Sequence, residues 1–249
     1  MMETILVFDQ INAGYGKTRV LKDLSFSVKR GEVFGIIGPN GSGKTTMLNV
    51  LTGLVQPTSG AVRLDGKDIS SLPVHERCCL GIGRTFQIPR PFIRMSVYEN
   101  VFVSAVYGTR LPIRNGREPV LDVLKATGLD DKKDLLAGKL TLLDRKRLEI
   151  ARAVVSRPKL LLLDEVTAGL TVAETTDIIA MMRHLKEAGF TILWIEHVLE
   201  TMRSVSDRLM CLSEGQCAVL GPTEEVLASP VVAELYLGTE REKDGHAAD

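Results

Sequence analysis

Residues Gly38-Pro39-Asn40-Gly41-Ser42-Gly43-Lys44-Thr45 satisfy G-x-x-x-x-G-K-[ST] at every fixed position, and no other stretch narrows so far what this chain can fold into. The glycines let the backbone curl until successive N–H groups point inward as an anion cradle. Before the loop, Val33, Phe34, Ile36 and Ile37 read as a buried strand. After it, Met47-Leu48-Asn49-Val50-Leu51 reads as a helix whose positive N-terminal end faces the loop. Pro39, Asn40, Gly41, Ser42 and Gly43 would line such a cradle, with Thr46 just inside the helix. Lys44 supplies a mobile charge for the β- and γ-phosphates, and the Thr45 hydroxyl a ligand for Mg²⁺. The pattern predicts binding of a nucleoside triphosphate.

Composition sets outer bounds. At 249 residues, with 45% apolar and 25% charged residues, the chain has the make-up of an ordinary globular protein with one large core or a core and a smaller lobe. The formal net charge is zero, which argues against a nucleic-acid partner. No apolar run approaches 18 residues and residues 1–9 lack a basic-then-apolar pattern, so neither a membrane span nor a secretion signal is expected. Cys78, Cys79, Cys211 and Cys217 form neither a C-x-x-C pair nor a disulfide framework, and read as free thiols of a reducing compartment.

Along the chain, residues 5–11 and 20–28 read as strands around the turn Gly14-Tyr15-Gly16-Lys17, where an exposed Tyr15 could stack on a nucleobase. Strands are also expected at 33–37, 61–64 and 83–86, and a short helix from Pro73 to Leu80. Pro89 and Pro91 preclude helix until Ser96-Val97-Tyr98-Glu99, which fits a capping box. The stretch 107–118 reads as a loop and 119–127 as a helix. Another helix should run from Thr141 to Ser156. Leu160-Leu161-Leu162-Leu163 and Thr191-Ile192-Leu193-Trp194-Ile195 are continuous apolar runs, as in parallel strands buried on both faces. Thr171-Val172-Ala173-Glu174 caps the helix between them. A hairpin at Ser213-Glu214-Gly215, a last helix over 223–237 and a polar tail from Thr239 complete the reading. Strands alternating with helices around the loop imply an α/β fold with a parallel core, into which the helical block 88–156 is inserted.

Further chemistry lies at strand ends. Asp164-Glu165 follow the four-leucine strand, where carboxylates face the ligand crevice of such sheets. Asp164 is placed to hold Mg²⁺ and Glu165 to orient or deprotonate an attacking water. His197 follows the strand 191–195 and could reach a γ-phosphate. Gln87 lies just past the strand 83–86, where it could sense the metal and the water.

In order, Tyr15, the loop 38–45, Gln87, the helix start at 140–147, Asp164-Glu165 and His197 resemble the nucleotide-binding subunit of an ABC transporter across residues 3–238. The resemblance implies a single domain over 1–238: a P-loop core of mostly parallel sheet between helices, an N-terminal antiparallel β subdomain, and the helical subdomain at 88–156. It implies ATP and Mg²⁺ as cofactors. It also makes Tyr15 the A-loop residue, Gln87 the Q-loop residue, Asp164 the Walker B ligand, Glu165 the catalytic base and His197 the switch. Gly83-Arg84-Thr85-Phe86-Gln87-Ile88-Pro89-Arg90-Pro91-Phe92 and Glu234-Leu235-Tyr236-Leu237-Gly238 resemble branched-chain amino acid importers, and related urea and amide importers share them.

Three positions depart from the family pattern. Leu140-Thr141-Leu142-Leu143-Asp144 stands where Leu-Ser-Gly-Gly-Gln is usual, so two leucines replace glycines that would let the backbone close on a partner's γ-phosphate. Asp144 brings a negative charge there, offset by Arg145, Lys146 and Arg147. Thr171 replaces the D-loop aspartate, and Val166 a proline.

The resemblance implies membrane permease subunits as partners, a solute-binding protein acting through them, and a second nucleotide-binding subunit, identical or paralogous. Thr141, Leu142, Leu143 and Asp144 would face that subunit's ATP. The chain would lie at the cytoplasmic side of a membrane, with Pro89, Pro91, Phe92 and Ile93 suited to permease contact. A soluble ABC ATPase and a subunit that binds but scarcely hydrolyses ATP are the competing readings.

Overall fold

Alternating apolar positions fold the first thirty residues into a long hairpin. Strands β1 (Thr4–Tyr15) and β2 (Thr18–Lys29) run antiparallel, from Thr4 opposite Lys29 to Tyr15 opposite Thr18. In this computed structural model, which describes residues 3–109 and 117–236, both strands extend past the ranges expected from alternation. The register slips several times between Phe8 and Gly14, and each bulge breaks the period-two pattern that would have shown the strand.

Contacts divide the chain into two units, one formed by residues up to 74 together with those from 193, the other by 75–192. The first holds β1, β2, β3 (Val33–Ile37), α1 (Lys44–Thr52), β4 (Ser59–Leu64) and β5 (Lys67–Asp68). One antiparallel sheet runs β2-β1-β4-β5. Phe8 stacks on Phe26 at 4.7 Å and Phe26 on Phe34 of β3 at 5.5 Å, joining the hairpin to β3 by aromatic contacts.

The second unit carries α2 (Val74–Cys79), β6 (Ile82–Arg84), α3 (Val97–Thr109), α4 (Arg117–Ala126), α5 (Leu142–Val154), β7 (Leu160–Asp164) and α6 (Val172–Glu187). β6 and β7 pair in parallel, and Leu160–Leu163 are fully buried. Val97, Val101, Ala105, Val120, Leu124, Leu148 and Ala151 give the helices their own core. The capping boxes at Ser96/Glu99 and Thr171/Glu174 form as the sequence predicts. β6 ends at Arg84 rather than at 86, because Phe86 turns outward; Thr85 N–H still bonds Leu162 O at 2.9 Å. α3 runs on to Thr109, into the stretch expected as loop from 107, and α4 starts at Arg117. The expected loop at 110–116 lies outside the described residues.

The chain then returns to the first unit through β8 (Ile192–Ile195), α7 (Leu199–Val205), β9 (Arg208–Ser213), β10 (Gln216–Pro222) and α8 (Thr223–Leu227). β9 runs antiparallel to β10 and parallel to β3, whose other neighbour is β8. α7 was not foreseen: its N-cap, Val198, makes no side-chain hydrogen bond, so no boundary signal precedes it. The single last helix expected over 223–237 is instead two pieces. α8 stops at Leu227 and helix resumes at Pro230, since Ser229, preceding a proline, is kept out of the helical region. Leu237, Gly238 and the expected polar tail from Thr239 lie outside the described residues. Among the described residues no helix is long and apolar enough to cross a membrane.

Cys211, in β9, is fully buried, and burial pushes its thiol up to about 11 from an ordinary 9.0. The unfolded thiol ionises first, so the stability this site contributes is intact below pH 9 and is lost progressively as pH rises toward 11. Native iodoacetamide labelling should modify the exposed Cys78 and Cys79 and spare Cys211 until denaturant is added, and the midpoint in urea should fall between pH 9 and 11.

Candidate functional site

The glycine-rich loop 38–45 is shaped by its neighbours as much as by its own glycines. β3 is buried along its whole length and delivers the chain to Gly38, which has φ +150°. A Cβ on Gly38 would lie 2.1 Å from the carbonyl oxygen of Leu212 in β9. Gly215, at the tip of the β9–β10 hairpin, donates to Ser42 O at 2.9 Å and accepts from Lys22 N–H at 3.0 Å, and a Cβ there would lie 1.7 Å from Val20 O. Tyr236 adds a further support: its hydroxyl accepts the Gly38 N–H at 3.0 Å, and burial pushes the phenol up to about 12. No motif marks Tyr236 as a partner of the loop; only the fold brings it there.

Within the loop, Lys44 is 8% exposed and its Nζ donates to Gly38 O at 2.7 Å and to Pro39 O at 2.9 Å. Gly43 takes φ +107° as the N-cap of α1, whose first turn carries no side-chain cap and no acid. The helix therefore starts with N–H donors and a positive end uncovered by its own side chains. Ser42 Oγ is buried and has no hydrogen-bond partner among the described residues. A phosphate suits both features. Asn40, Gly41 and Thr45 are exposed, Pro39 is half-buried, and Thr46 is buried. Tyr15, 51% exposed, accepts from Asn49 Nδ2 at 3.1 Å and so is anchored to α1 with its ring left open. His197, beyond β8, is exposed, with Nδ1 3.9 Å from the carboxylate of the buried Glu196.

The second unit gathers the other predicted residues. Gln87 Nε2 donates to Glu165 Oε2 at 2.7 Å, so the two side chains already touch. Asp164 closes β7 and pairs with Arg84 of β6 at 3.3 Å, both largely buried. Arg84 and Lys146 contact these predicted residues, and motif reading missed both. Lys146 did carry a signal: it lies on the buried α5 stripe with Glu149, Ile150 and Ala153, an ammonium where the helical period calls for an apolar side chain.

The segment at the start of α5 corrects one expectation. Asp144 does not present its charge outward: it is 4% exposed, its oxygens accept from Lys132 Nζ at 2.9 Å and from Thr141 Oγ1 at 2.9 Å, and Arg147 lies 3.8 Å away. Of the three cations expected to offset it, Arg145 bonds Gly138 O and Lys146 points elsewhere. Thr141 is the N-cap and accepts the Asp144 N–H at 3.2 Å. Leu142 is 45% exposed and Leu143 half-buried, both in ordinary helical conformation.

Against the C-terminal half of α5 lies a groove of about 300 Å³ lined by Phe86, Phe92, Val103, Tyr107, Glu149 and Arg152, among others. The proline-containing loop beside it is fixed: Glu149 accepts the Arg90 N–H at 2.6 Å, Asn100 accepts the Phe92 N–H at 2.8 Å, and Arg152 lies over the Phe92 ring at 5.3 Å. Ile88 and Ile93 nevertheless stay 70% and 60% exposed.

Comparison with known proteins agrees with this architecture. The ABC transporter family model matches residues 21–168, more than half of the chain. The chain belongs to this family, as an ABC ATPase subunit of a transporter. It is 35% identical to the high-affinity branched-chain amino acid transport ATP-binding protein BraF of Pseudomonas aeruginosa, covering 96% of this chain and 99% of that protein. It is also 33% identical to the lipopolysaccharide export system ATP-binding protein LptB of Haemophilus influenzae, over 94% of this chain and 98% of that one. The crystal structure of the ATP-binding cassette MJ1267 in its ADP conformation superposes with a TM-score of 0.85 at 34% identity, covering 94% and 99% of the two chains.

Replacing Asp144 with alanine leaves the backbone N–H of that position on Thr141 but removes the carboxylate to which Lys132 and the Thr141 hydroxyl donate, while Arg147 keeps its pair with Asp177 at 3.0 Å. Because Lys132 is about a third exposed, the expected loss lies between surface-pair and buried-pair values, about 1–3 kcal/mol. Urea denaturation of Asp144→Ala against the unmodified chain measures it.

Proposed function

We propose that this chain binds and hydrolyses ATP with Mg²⁺ to power import of branched-chain amino acids, as one of two nucleotide-binding subunits on the cytoplasmic side of a membrane permease. The observation that carries the narrower reading is the near full-length similarity to BraF, combined with the Gly83–Phe92 segment. The comparable similarity to LptB favours a second reading, lipopolysaccharide export.

Each residue's chemistry supports the reading. Backbone N–H groups of residues 39–43, the α1 N-terminus and Lys44 suit the phosphates, and Tyr15 offers a stacking face for adenine. Among the described residues no cluster of His, Cys, Asp or Glu could hold a metal unaided. The hydroxyl of Thr45, the carboxylate of Asp164 and the amide oxygen of Gln87 are hard oxygen donors, the type Mg²⁺ takes together with substrate phosphates. Mg²⁺, when bound, neutralises charge on the phosphates. Glu165 would take the proton of the attacking water, with Gln87 orienting that water and His197 contacting the γ-phosphate. Arg84 would release Asp164 for the metal.

This chain's Thr141, Leu142 and Leu143, with Asp144 turned inward behind them, would face the ATP held by a second subunit, identical or paralogous, whose corresponding segment would face the ATP held by this chain's loop. The groove beside the fixed loop 88–93, with exposed Ile88 and Ile93, would seat the permease. A solute-binding protein would act through that permease.

Purified chain reconstituted with its permease in proteoliposomes should hydrolyse ATP and accumulate leucine, isoleucine or valine in an ATP-dependent manner. Glu165→Gln should lower turnover about 10²–10⁴-fold and trap an ATP-bound dimer on size exclusion. Wild-type turnover no faster than that variant's would instead establish a subunit that binds without hydrolysing. Transport of urea, an amide or a lipid in place of the branched-chain amino acids would reassign the solute.

A further inference from the structure

The residues proposed for hydrolysis are held from behind by a buried ammonium. Lys146 lies in the second turn of α5 and is 2% exposed. Its Nζ donates to the backbone oxygen of Gln87 at 2.7 Å and to that of Glu165 at 3.1 Å. The same two residues meet again through their side chains, Gln87 Nε2 to Glu165 Oε2 at 2.7 Å. Lys146, the Gln87 peptide and amide, and the Glu165 carboxylate and carbonyl therefore close a ring of hydrogen bonds.

Glu165 also needs such support. Its φ of +45° lies in the left-handed region, which a residue with a side chain adopts only at a steric cost. Its carbonyl accepts from Ala168 N–H at 3.2 Å as well as from Lys146. Removing an ammonium from water is expensive unless oriented acceptors replace the lost hydration, and carbonyl oxygens of two chemically active residues provide that here. A methylene-only side chain could fill the same space but could not fix two carbonyl directions.

We propose that Lys146 is a positioning residue for hydrolysis. It fixes the backbones of Glu165 and Gln87 as one unit and ties that unit to the helix that begins at Thr141. Lys146 lies five residues from this N-cap, on the same rigid element, so a displacement of the Thr141–Leu143 end is carried to both residues at once. The proposal rests on the hydrolytic reading above, in which Glu165 and Gln87 handle the water.

The test compares Lys146→Met, which keeps the length of the side chain and removes its donors, with Lys146→Arg, which restores them. Steady-state ATPase of the subunit with its permease should show kcat lowered about 10²-fold in Lys146→Met, the loss expected from an ångström-scale misplacement. KM for ATP and affinity for a fluorescent ATP analogue should stay within about twofold, and Lys146→Arg should recover part of kcat. Hydrogen exchange followed by mass spectrometry should show faster exchange in Lys146→Met in peptides spanning 86–90 and 164–169, with little change elsewhere. Unchanged kcat with unchanged exchange in those peptides overturns the proposal. So does a loss of nucleotide affinity and a global rise in exchange that Lys146→Arg fails to reverse, which would mark Lys146 as merely structural. If the unmodified chain itself does not hydrolyse ATP, the functional reading fails, and exchange at 86–90 and 164–169 still decides whether Lys146 holds the two segments.

Discussion

At Gly38 two backbones pass so closely that even a methyl group would collide with the Leu212 carbonyl. Much of the first unit depends on that approach. It requires β3 to lie beside β9, the hairpin tip at Gly215 to fold over the loop, and Val20 to lie against Gly215 from the other side. Each contact is backbone to backbone, so it tolerates little variation in either partner. The loop's curvature is thus a property of three strands: Gly38 and Gly215 stand where a neighbouring backbone leaves no room for a Cβ, whereas Gly41 has open space around it and a positive φ of +80°.

Much of this was legible in one sequence because strong local signals coincided with the fold. The phosphate loop, the four-leucine strand and the two capping boxes each state their own geometry. What was not legible depended on partners distant in the chain. Tyr236 on Gly38 N–H has no local signature, and neither has Arg84 on Asp164. α7 lacks a polar cap, and the bulges of β1 hide its alternation. The break at Ser229-Pro230 was readable from the proline, although a single helix over 223–237 was expected. Asp144 was misjudged for a different reason: charge counting along α5 weighed its sequence neighbours, whereas the fold supplies Lys132 from a preceding turn.

That last contact alters how the divergent segment at 140–144 should be understood. With Asp144 turned inward and neutralised, the surface at the start of α5 is defined by Thr141 and Leu142, so the departure from the usual pattern is one of shape and polarity rather than of charge. The leucines do not strain the backbone, since both sit in helical conformation. They remove space, and an apolar γ-branched side chain on a helix N-terminus limits how closely a phosphate could approach it. Thr171, at the head of α6, repeats the theme: its hydroxyl is engaged in a capping box with Glu174, and it brings no charge of its own.

The hydrogen bond from Gly38 to Tyr236 joins residues 198 positions apart. The second unit is a single uninterrupted stretch of chain, whereas the first is assembled from the two ends. During synthesis from the N-terminus, every contact that builds the second unit is therefore available before β9, Gly215 and Tyr236 have been made. Until they emerge, β3 has β8 on one side but not β9 on the other, and the loop lacks three of the groups that shape it. A ribosome-bound fragment ending near residue 200 would thus carry the whole glycine motif without the Leu212, Gly215 and Tyr236 contacts that shape it, so the loop takes its observed form only after residue 236 has been made.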